Sequence, residues 1–402
     1  MTAIRKALVI GGGVAGPAAA MALQKAGIES VVYEAYPNPA DDVGVFLTVA
    51  TNGIDALRTI GSDEGVVAAG FPTPKITLRN SGGKNLGGTN TGAALPDGTT
   101  SQTVRRSDLY RIIQDEAISR GIQIERGKRL VDAKETADGV RAVFADGTEA
   151  TGDVLIGADG IDSTVRNLID PSAPPPKYTG LINLGGYTSG VPVDTESCSY
   201  SMMFGKRAFF GYAVLPSREV WWYASLPRPV EPKKGELEAI DGLEWQRRLV
   251  GFFQHDTGPA VQLIKATRDP EALRATPTRS VPNLRTWHSN RMVIIGDAAH
   301  APTPTSGQGA SLSIEDGVVL AKCLRDLADP RQAFGTFEKL RRPRVEAIIK
   351  VANSINNNKA PGPIGSAIRD AFTPIIMKLT ANSSFMMRQY DYHIDWEEAV
   401  RA

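Results

Sequence analysis

The chain is poor in cysteine: Cys198 and Cys323 are the only two among 402 residues. That excludes a disulfide framework and a close dithiol centre, and it suits a reducing cytoplasm. Histidine is scarce as well. His255, His288, His300 and His393 show no metal-ligand spacing, so no metal is expected. Net charge is only +1 and no basic run occurs, which argues against nucleic acid or any other polyanion as partner. No apolar run reaches the ~18 residues of a membrane span. Arg5-Lys6 and the apolar stretch after them imitate a signal peptide, but the glycines there stand where a strand would turn into a helix. Internal repeats and low-complexity tracts are missing too.

What remains is the composition of a globular enzyme, in a chain longer than one typical domain, so two packed domains are expected. The most informative stretch is "RMVIIGDAAHAPTPTSGQGASLSIEDG", Arg291 to Gly317. An apolar strand, Met292–Ile295, stops at Gly296-Asp297 and so places a carboxylate at a strand's carboxyl end, where open α/β sheets bind ligands. A loop containing Gly307-Gln308-Gly309 then opens a helix over Ala310–Leu324, whose first amides suit partial negative charge.

A second motif opens the chain. Lys6–Ile10 reads as a buried strand, Gly11-x-Gly13-Val14-Ala15-Gly16 as a turn, Ala18–Ala26 as a helix, and Ser30–Tyr33 as a second strand ending at Glu34. Strand, turn, helix, strand and acid in that order form the dinucleotide fingerprint. The first glycine makes the turn, the second lets backbone approach pyrophosphate, the third permits close helix–strand packing, and Glu34 accepts from the ribose hydroxyls. The third motif is "GADGIDSTVR". Ala-Asp-Gly occurs at Ala137, Ala145 and Ala158, but only the third follows a continuous apolar strand (Asp153–Ile156), so the first two read as hairpin turns.

Between the motifs, Gly53–Ile60 reads as a helix and the Gly-rich text from Pro72 to Gly98 as strands. "DPSAPPPKY" reads as a stiff linker, Gly180–Leu226 as antiparallel strands and Glu236–Phe253 as a helix. Pro343 should kink or bound a helix near the end of the chain, and Arg341-Arg342 should form a solvated helix face. His300 reads as a residue satisfying loop backbone, Cys323 as packed interior, and Asp316 as local support for its helix. The expected fold is a Rossmann-like α/β domain (residues 1–71, 99–178 and 277–350), an inserted antiparallel β-sheet domain (72–98 and 179–276) and a C-terminal helical segment (351–402).

Together the three motifs resemble the group A, FAD-dependent aromatic monooxygenases of the para-hydroxybenzoate hydroxylase fold, in particular the salicylate-hydroxylase and tetracycline-inactivating branches. "NGIDALRTIG", "RRSDL" and "EKLRRPRV" extend the likeness over nearly the whole chain. The resemblance implies non-covalent FAD held by Gly11, Gly13, Val14, Ala15, Gly16 and Glu34, with Gly44 in the mobile flavin loop and Arg106 on the cofactor. It further implies Leu130 near adenine, Asp159 between FAD and nicotinamide, Asp297 on the ribityl chain, Pro304 facing the isoalloxazine, and Gly307, Gly309 and Ala310 at its pyrimidine edge. NADPH or NADH would bind transiently, since only one fingerprint is present. The flavin, as a hydroperoxide, would carry one atom of O2 to an aromatic or polycyclic small molecule, so no catalytic side chain is singled out. Three departures stand out: Ala35 follows Glu34 where an arginine is common, Val45-Phe46 follow Gly44 in place of a Gly-rich loop, and Ser311 replaces an asparagine.

For the substrate, strands Met202–Leu215 and Glu219–Leu226 flank a turn at Pro216-Ser217-Arg218. Alternation puts Arg207, Phe209 and Gly211 on one face. By resemblance that face meets substrate, Trp222 joins from the neighbouring strand to sandwich a ring with Phe209, and Arg207 pairs with an enolate or phenolate. An FAD dehydrogenase or reductase, or a non-catalytic FAD- or ligand-binding protein, would carry the same motifs.

Overall fold

The computed structural model describes residues 4–38, 45–357, 370–374 and 389–401. Its centre is a five-stranded parallel sheet ordered Met292–Ile294, Val154–Gly157, Lys6–Ile10, Glu29–Glu34, Gln123–Arg126. The central strands are unbroken apolar runs because helices cover both faces. Ala7, Leu8, Val9, Leu155 and Ile156 are fully buried. Parallel strands bring their carboxyl ends to one edge. Gly11, Glu34, Asp159 and Asp297, far apart in sequence, therefore emerge on the same side.

The fingerprint helix begins at Ala15, three residues earlier than read, and runs to Lys25. The central helix spans Gly309–Asp326 and packs against it, with Gly317 directly on Ala19, where an added Cβ would come within 2.9 Å of backbone. The Ala137 and Ala145 turns join Leu130–Glu135, Val140–Phe144 and Glu149–Gly152 into an antiparallel sheet, and the Ala158 turn leads into helix Thr164–Ile169.

A seven-stranded sheet, almost wholly antiparallel, forms the second layer: Thr276–Ser280, Lys177–Thr188, Val220–Pro227, Phe209–Val214, Ser199–Phe204, Lys75–Asn80 and Asn85–Asn90. Helices Gly242–Phe253 and Ala260–Lys265 cover one face and bury Phe210, Trp222, Trp245 and Phe253. The opposite face packs Trp221, Tyr200 and Ala213 against Phe46 and Phe71 of a small sheet built from Phe46–Val49, Gln102–Arg105 and Phe71–Pro72.

Several local expectations need correction. The helix read from Glu236 starts at Gly242, because the Asp241 carboxylate caps it by accepting from the Glu244 amide at 2.8 Å. The Pro-rich linker is short, since strand pairing begins at Lys177. Helix Pro330–Asn357 passes through Pro343 uninterrupted. Pro343 lies on the exposed side, as does Lys339, whose carbonyl loses its donor and is left to water. Arg341 is not on a solvated face: it is fully buried and bridges Glu315 (2.6 Å) and Asp316 (2.7 Å) of the central helix. Only parts of the 351–402 segment are described; in them 370–374 is helical and 389–401 crosses the central helix without regular structure. Arg325 donates there to the Trp396 carbonyl and Arg344 to that of Gln389. Among the described residues no helix is long and apolar enough to cross a membrane and no cluster could hold a metal ion.

Candidate functional site

The site begins at the first turn. Gly11 has φ +112°, and a Cβ there would lie 2.2 Å from the Ala158 carbonyl oxygen; a Cβ on Gly16 would lie 1.9 Å from the Gly11 oxygen. At Gly13 a Cβ would meet nothing within 4 Å. Two glycines thus serve protein packing, and the third keeps the turn's outer surface bare, as close approach by a phosphate requires. Val14 stands at the helix N-cap with no side-chain cap, and Ala15 and Gly16 are buried in its first turn.

Gly12, which the motif leaves unassigned, is the best-held peptide in the loop. Its amide donates to Glu34 Oε2 at 2.6 Å, and its carbonyl accepts from Gln114 Nε2 at 2.5 Å. Gln114 Oε1 in turn accepts from Arg126 at 2.5 Å. The other Glu34 oxygen accepts from the Tyr36 amide at 2.9 Å. Glu34 therefore shapes the turn from the carboxyl end of its strand. Gln114 and Arg126 had no sequence signal, since they come from a helix and a strand far along the chain. Leu130 is buried at the start of its strand, opposite Phe144, whose ring stacks on Tyr33 at 4.7 Å.

Asp159 follows its strand as expected, but its carboxylate is occupied. Oδ1 accepts from Ser163 Oγ at 2.5 Å, and Oδ2 from the Thr164 and Val165 amides at 2.8 and 3.1 Å. Burial raises its pKa against these hydrogen bonds. It holds the start of helix Thr164–Ile169.

Asp297 is the opposite case. Half-buried in a single turn at Gly296–Ala298, its carboxylate has no hydrogen-bond partner among the described residues. Burial raises its pKa, opposed by the charge of Arg106 and by His300. Arg106 uses Nε on the Tyr110 hydroxyl (2.8 Å) and lies beyond ion-pair distance from Asp297. A free carboxylate facing a nearby guanidinium suits a hydroxyl-bearing chain with phosphate beyond it. Pro304 is exposed and opens a short turn closed by Gly307 at φ +61°. The amides of Gly309, Ala310 and Ser311 then begin the central helix and carry no hydrogen bond among the described residues. As the unpaired first amides of a helix they are available as donors for an acceptor-rich ring edge. Bare Gly13, unpartnered Asp297 and these open amides together fit FAD. Gly44 lies outside the described residues. Val45 beside it is anchored, its carbonyl accepting from the Tyr187 hydroxyl at 2.7 Å and the Arg106 amide at 3.2 Å.

Under this site lies a charge network that sequence reading did not foresee. Asp316 accepts from the Gly296 amide (2.9 Å), contacts His300 Nε2 (2.6 Å) and pairs with Arg341. His300 therefore answers a buried acid and not loop backbone. Burial raises the Asp316 pKa, but His300 and Arg341 prevail and hold it at about 2. Glu315 pairs with Arg341 and Arg344 and accepts from Asn52 at 2.6 Å. Ser311, the departure after "GQGA", accepts from the Ala50 amide at 3.0 Å and packs on Gly53, where an added Cβ would lie 2.5 Å from its Oγ. Cys323 is buried, which pushes its thiol up to about 12.

The turn at Pro216-Ser217-Arg218 joins Phe209–Val214 to Val220–Pro227 as a hairpin, but the strand read over Met202–Leu215 is two antiparallel strands, Ser199–Phe204 and Phe209–Val214, and the register divides the expected trio. Phe209 pairs with Ser225, Gly211 with Tyr223 and Tyr212 with Trp222. Trp222 therefore shares a face with Phe210 and Tyr212, stacks on Phe210 at 5.6 Å and donates to Thr188 at 3.2 Å inside the helix-covered core. It cannot sandwich a ring with Phe209. Arg207 precedes the strand, donates to the Gly251 carbonyl at 3.3 Å and lies over Phe252 on the helix side. Phe209 does lie on the other face, though fully buried against Leu86 and Phe204. That face carries Trp221 and Tyr223, which flank the Phe46 ring at 5.8 and 6.1 Å. Tyr200 and Tyr223 hydrogen-bond through their hydroxyls. Burial raises the Tyr223 phenol to about 12, against that bond, so it stays neutral at physiological pH.

The FAD binding domain family matches residues 5–352. Aurachin C monooxygenase/isomerase of Stigmatella aurantiaca is 30% identical over 350 residues, 85% of this chain and 86% of that protein. An FAD-dependent urate hydroxylase of Klebsiella pneumoniae is 29% identical over 86% of this chain and 88% of its own length. Among solved structures, Klebsiella pneumoniae HpxO complexed with FAD and uric acid superposes with TM-score 0.84 at 25% identity, covering 96% of each chain. Tetracycline destructase Tet(55), at 20% identity and TM-score 0.70 over 94% of this chain and 97% of its own, shares the fold.

Proposed function

We infer that this chain, which belongs to the FAD binding domain family, is a monooxygenase that uses NADH or NADPH to place one atom of O2 on a planar aromatic or polycyclic small molecule. Its character as a flavin-dependent oxidoreductase follows from its relatives; the substrate class is our reading. The observation that carries it is the aromatic cluster formed by Tyr200, Trp221 and Tyr223 of the large sheet with Phe46 of the small sheet packed against them. It lies beside Val45 and the Arg106 side of the nucleotide site, and flat rings stack well on such a surface.

Bound FAD supplies the oxygen activation and the hydride acceptor. The chain's part is placement. Gly11, Gly13, Val14, Ala15, Gly16 and Glu34 hold the dinucleotide end, with Leu130 beside adenine. Arg106 and Asp297 address the phosphate and polyol. Pro304 with Gly307, Gly309 and Ala310 frames the ring, where fixed amide donors stabilise negative charge without reorganising. Neutral Tyr223 and Tyr200 offer hydroxyls from the opposite wall, and the apolar face excludes water. Asp159 sits where both cofactors would pass, although its carboxylate is engaged. The substrate part would comprise residues 72–98 and 179–276, with 1–71, 99–178 and 277–350 holding FAD. With Cys198 and Cys323 both free, we place the protein in the cytoplasm.

The test is to follow NAD(P)H oxidation, O2 uptake and product mass with FAD-loaded protein against phenols, hydroxyquinolines and polycyclic phenols. Coupled consumption with a product heavier by one oxygen supports the reading. Substrate oxidation without oxygen gain would make it a dehydrogenase, and no turnover with any reductant would make it a binding protein.

A further inference from the structure

The pair Arg105-Arg106 splits at the end of strand Gln102–Arg105. Arg106 turns toward Asp297 and the nucleotide site. Arg105 goes the other way: its guanidinium lies 4.9 Å from the centre of the Tyr187 ring and 5.5 Å from that of Trp221, on the aromatic face. Its side chain is 41% exposed, and no hydrogen bond satisfies any of its five N–H groups among the described residues. The nearest carboxylate is Glu219 at 4.0 Å, the limit of an ion pair. Glu219 is held elsewhere, accepting from Trp221 Nε1 at 3.2 Å and from Arg268 at 3.4 Å. The result is a cation held over two rings that stand at 77° to each other, with its fork unfilled.

Such a fork matches one chemistry well. A guanidinium binds a carboxylate or phenolate in its own plane while its face remains on the rings. We propose that Arg105 recognises an anionic substituent, carboxylate or phenolate, on a planar substrate bound beside the cluster of Tyr187, Trp221 and Tyr223. This rests on the aromatic-monooxygenase reading and narrows it to anionic aromatics. Arg105 takes the task first expected of Arg207, which lies on the other side of the sheet. Glu219 competes for the fork when no ligand is bound, which would weaken binding of neutral rings less than that of anions.

The test uses FAD-loaded protein without NAD(P)H, reading ligand binding from the perturbed flavin absorbance. The probes are salicylate, 3-hydroxybenzoate, 1-hydroxy-2-naphthoate and 4-hydroxyquinoline-2-carboxylate, each beside its carboxamide. At least one acid should bind about tenfold more tightly than its amide, the size of one charge-assisted contact. Arg105→Gln should remove that preference and leave FAD affinity unchanged, while Arg105→Lys keeps part of it. Glu219→Gln, which retains an acceptor for Trp221, should tighten the acids and not the amides. Absence of any acid preference in the wild type, or a preference that survives Arg105→Gln, would overturn the proposal. So would an Arg105→Gln defect confined to NADPH affinity, which would assign the cation to the nicotinamide cofactor. An intact acid preference in a protein that transfers no oxygen would instead sink the monooxygenase reading and leave the recognition standing.

Discussion

Glu34 does two things at the end of its strand, and only one of them has a signature in the sequence. Its spacing after the glycines placed it at the end of the second strand, where it stands, and suggested a ribose contact. The bond to the Gly12 amide was not legible, because it depends on how the turn folds back over the strand. Glu34→Ala should lower FAD affinity by ~10-fold or more, from loss of charge-assisted hydrogen bonds worth ~1.5–3 kcal/mol each. Flavin fluorescence titration measures this, and an unchanged dissociation constant would remove Glu34 from the site. Asp159 teaches the reverse. Its motif suggested a cofactor contact, yet both oxygens cap helix Thr164–Ile169. Asp159→Ala should therefore cost ~0.5–2 kcal/mol of stability, visible in the unfolding of cofactor-free protein. A wild-type melting temperature together with slowed flavin reduction would return it to a purely cofactor role.

At the scale of elements, alternation marked the large sheet as β-rich but missed the turn between Phe204 and Phe209, and strand pairing decided the faces. Alternation correctly separated Phe209 from Phe210, but nothing in one strand's sequence says which residue of the next lies opposite. Tyr212 faces Trp222, so Trp222 went to the helix side. Phe209→Ala should cost ~3–5 kcal/mol, since Phe209 is fully buried with Leu86 and Phe204. Denaturant unfolding would show it, and an intact midpoint with raised substrate KM would make Phe209 a substrate contact alone. The central and long helices were visible by their periods, but the ion network joining them was not. Arginine beside arginine reads as a solvated face unless the partner helix is known to carry Glu315 and Asp316 inward. Arg341→Met leaves those two acids without their shared cation and should cost ~3–5 kcal/mol. The same network predicts an acid limit. Asp316, at about 2 when folded, lies below the ordinary carboxylate value of ~3.9. Its stabilisation is therefore complete above about pH 4 and lost as pH falls toward 2. Melting temperature against pH should fall in that window, and Asp316→Asn should flatten part of the fall.

On the scale of the whole molecule, the chain brings four strand ends to one edge of a parallel sheet and packs an aromatic face of the large sheet against the small sheet that carries Phe46 and Phe71. The first half of this arrangement was legible, because glycine turns and strand-end acids are local features with a fixed physical meaning. The second half was legible only as an inserted β-rich stretch, since the face a sheet offers is settled by what covers its other side. The central claim is that this arrangement delivers an atom of O2 to an organic substrate. The most direct measurement is the mass of the product formed under 18O2 by FAD-loaded protein with NAD(P)H. The account predicts a product carrying one 18O atom, matched by one equivalent of reductant consumed. Product oxygen that derives from water, or oxidised product with no added oxygen, would contradict it.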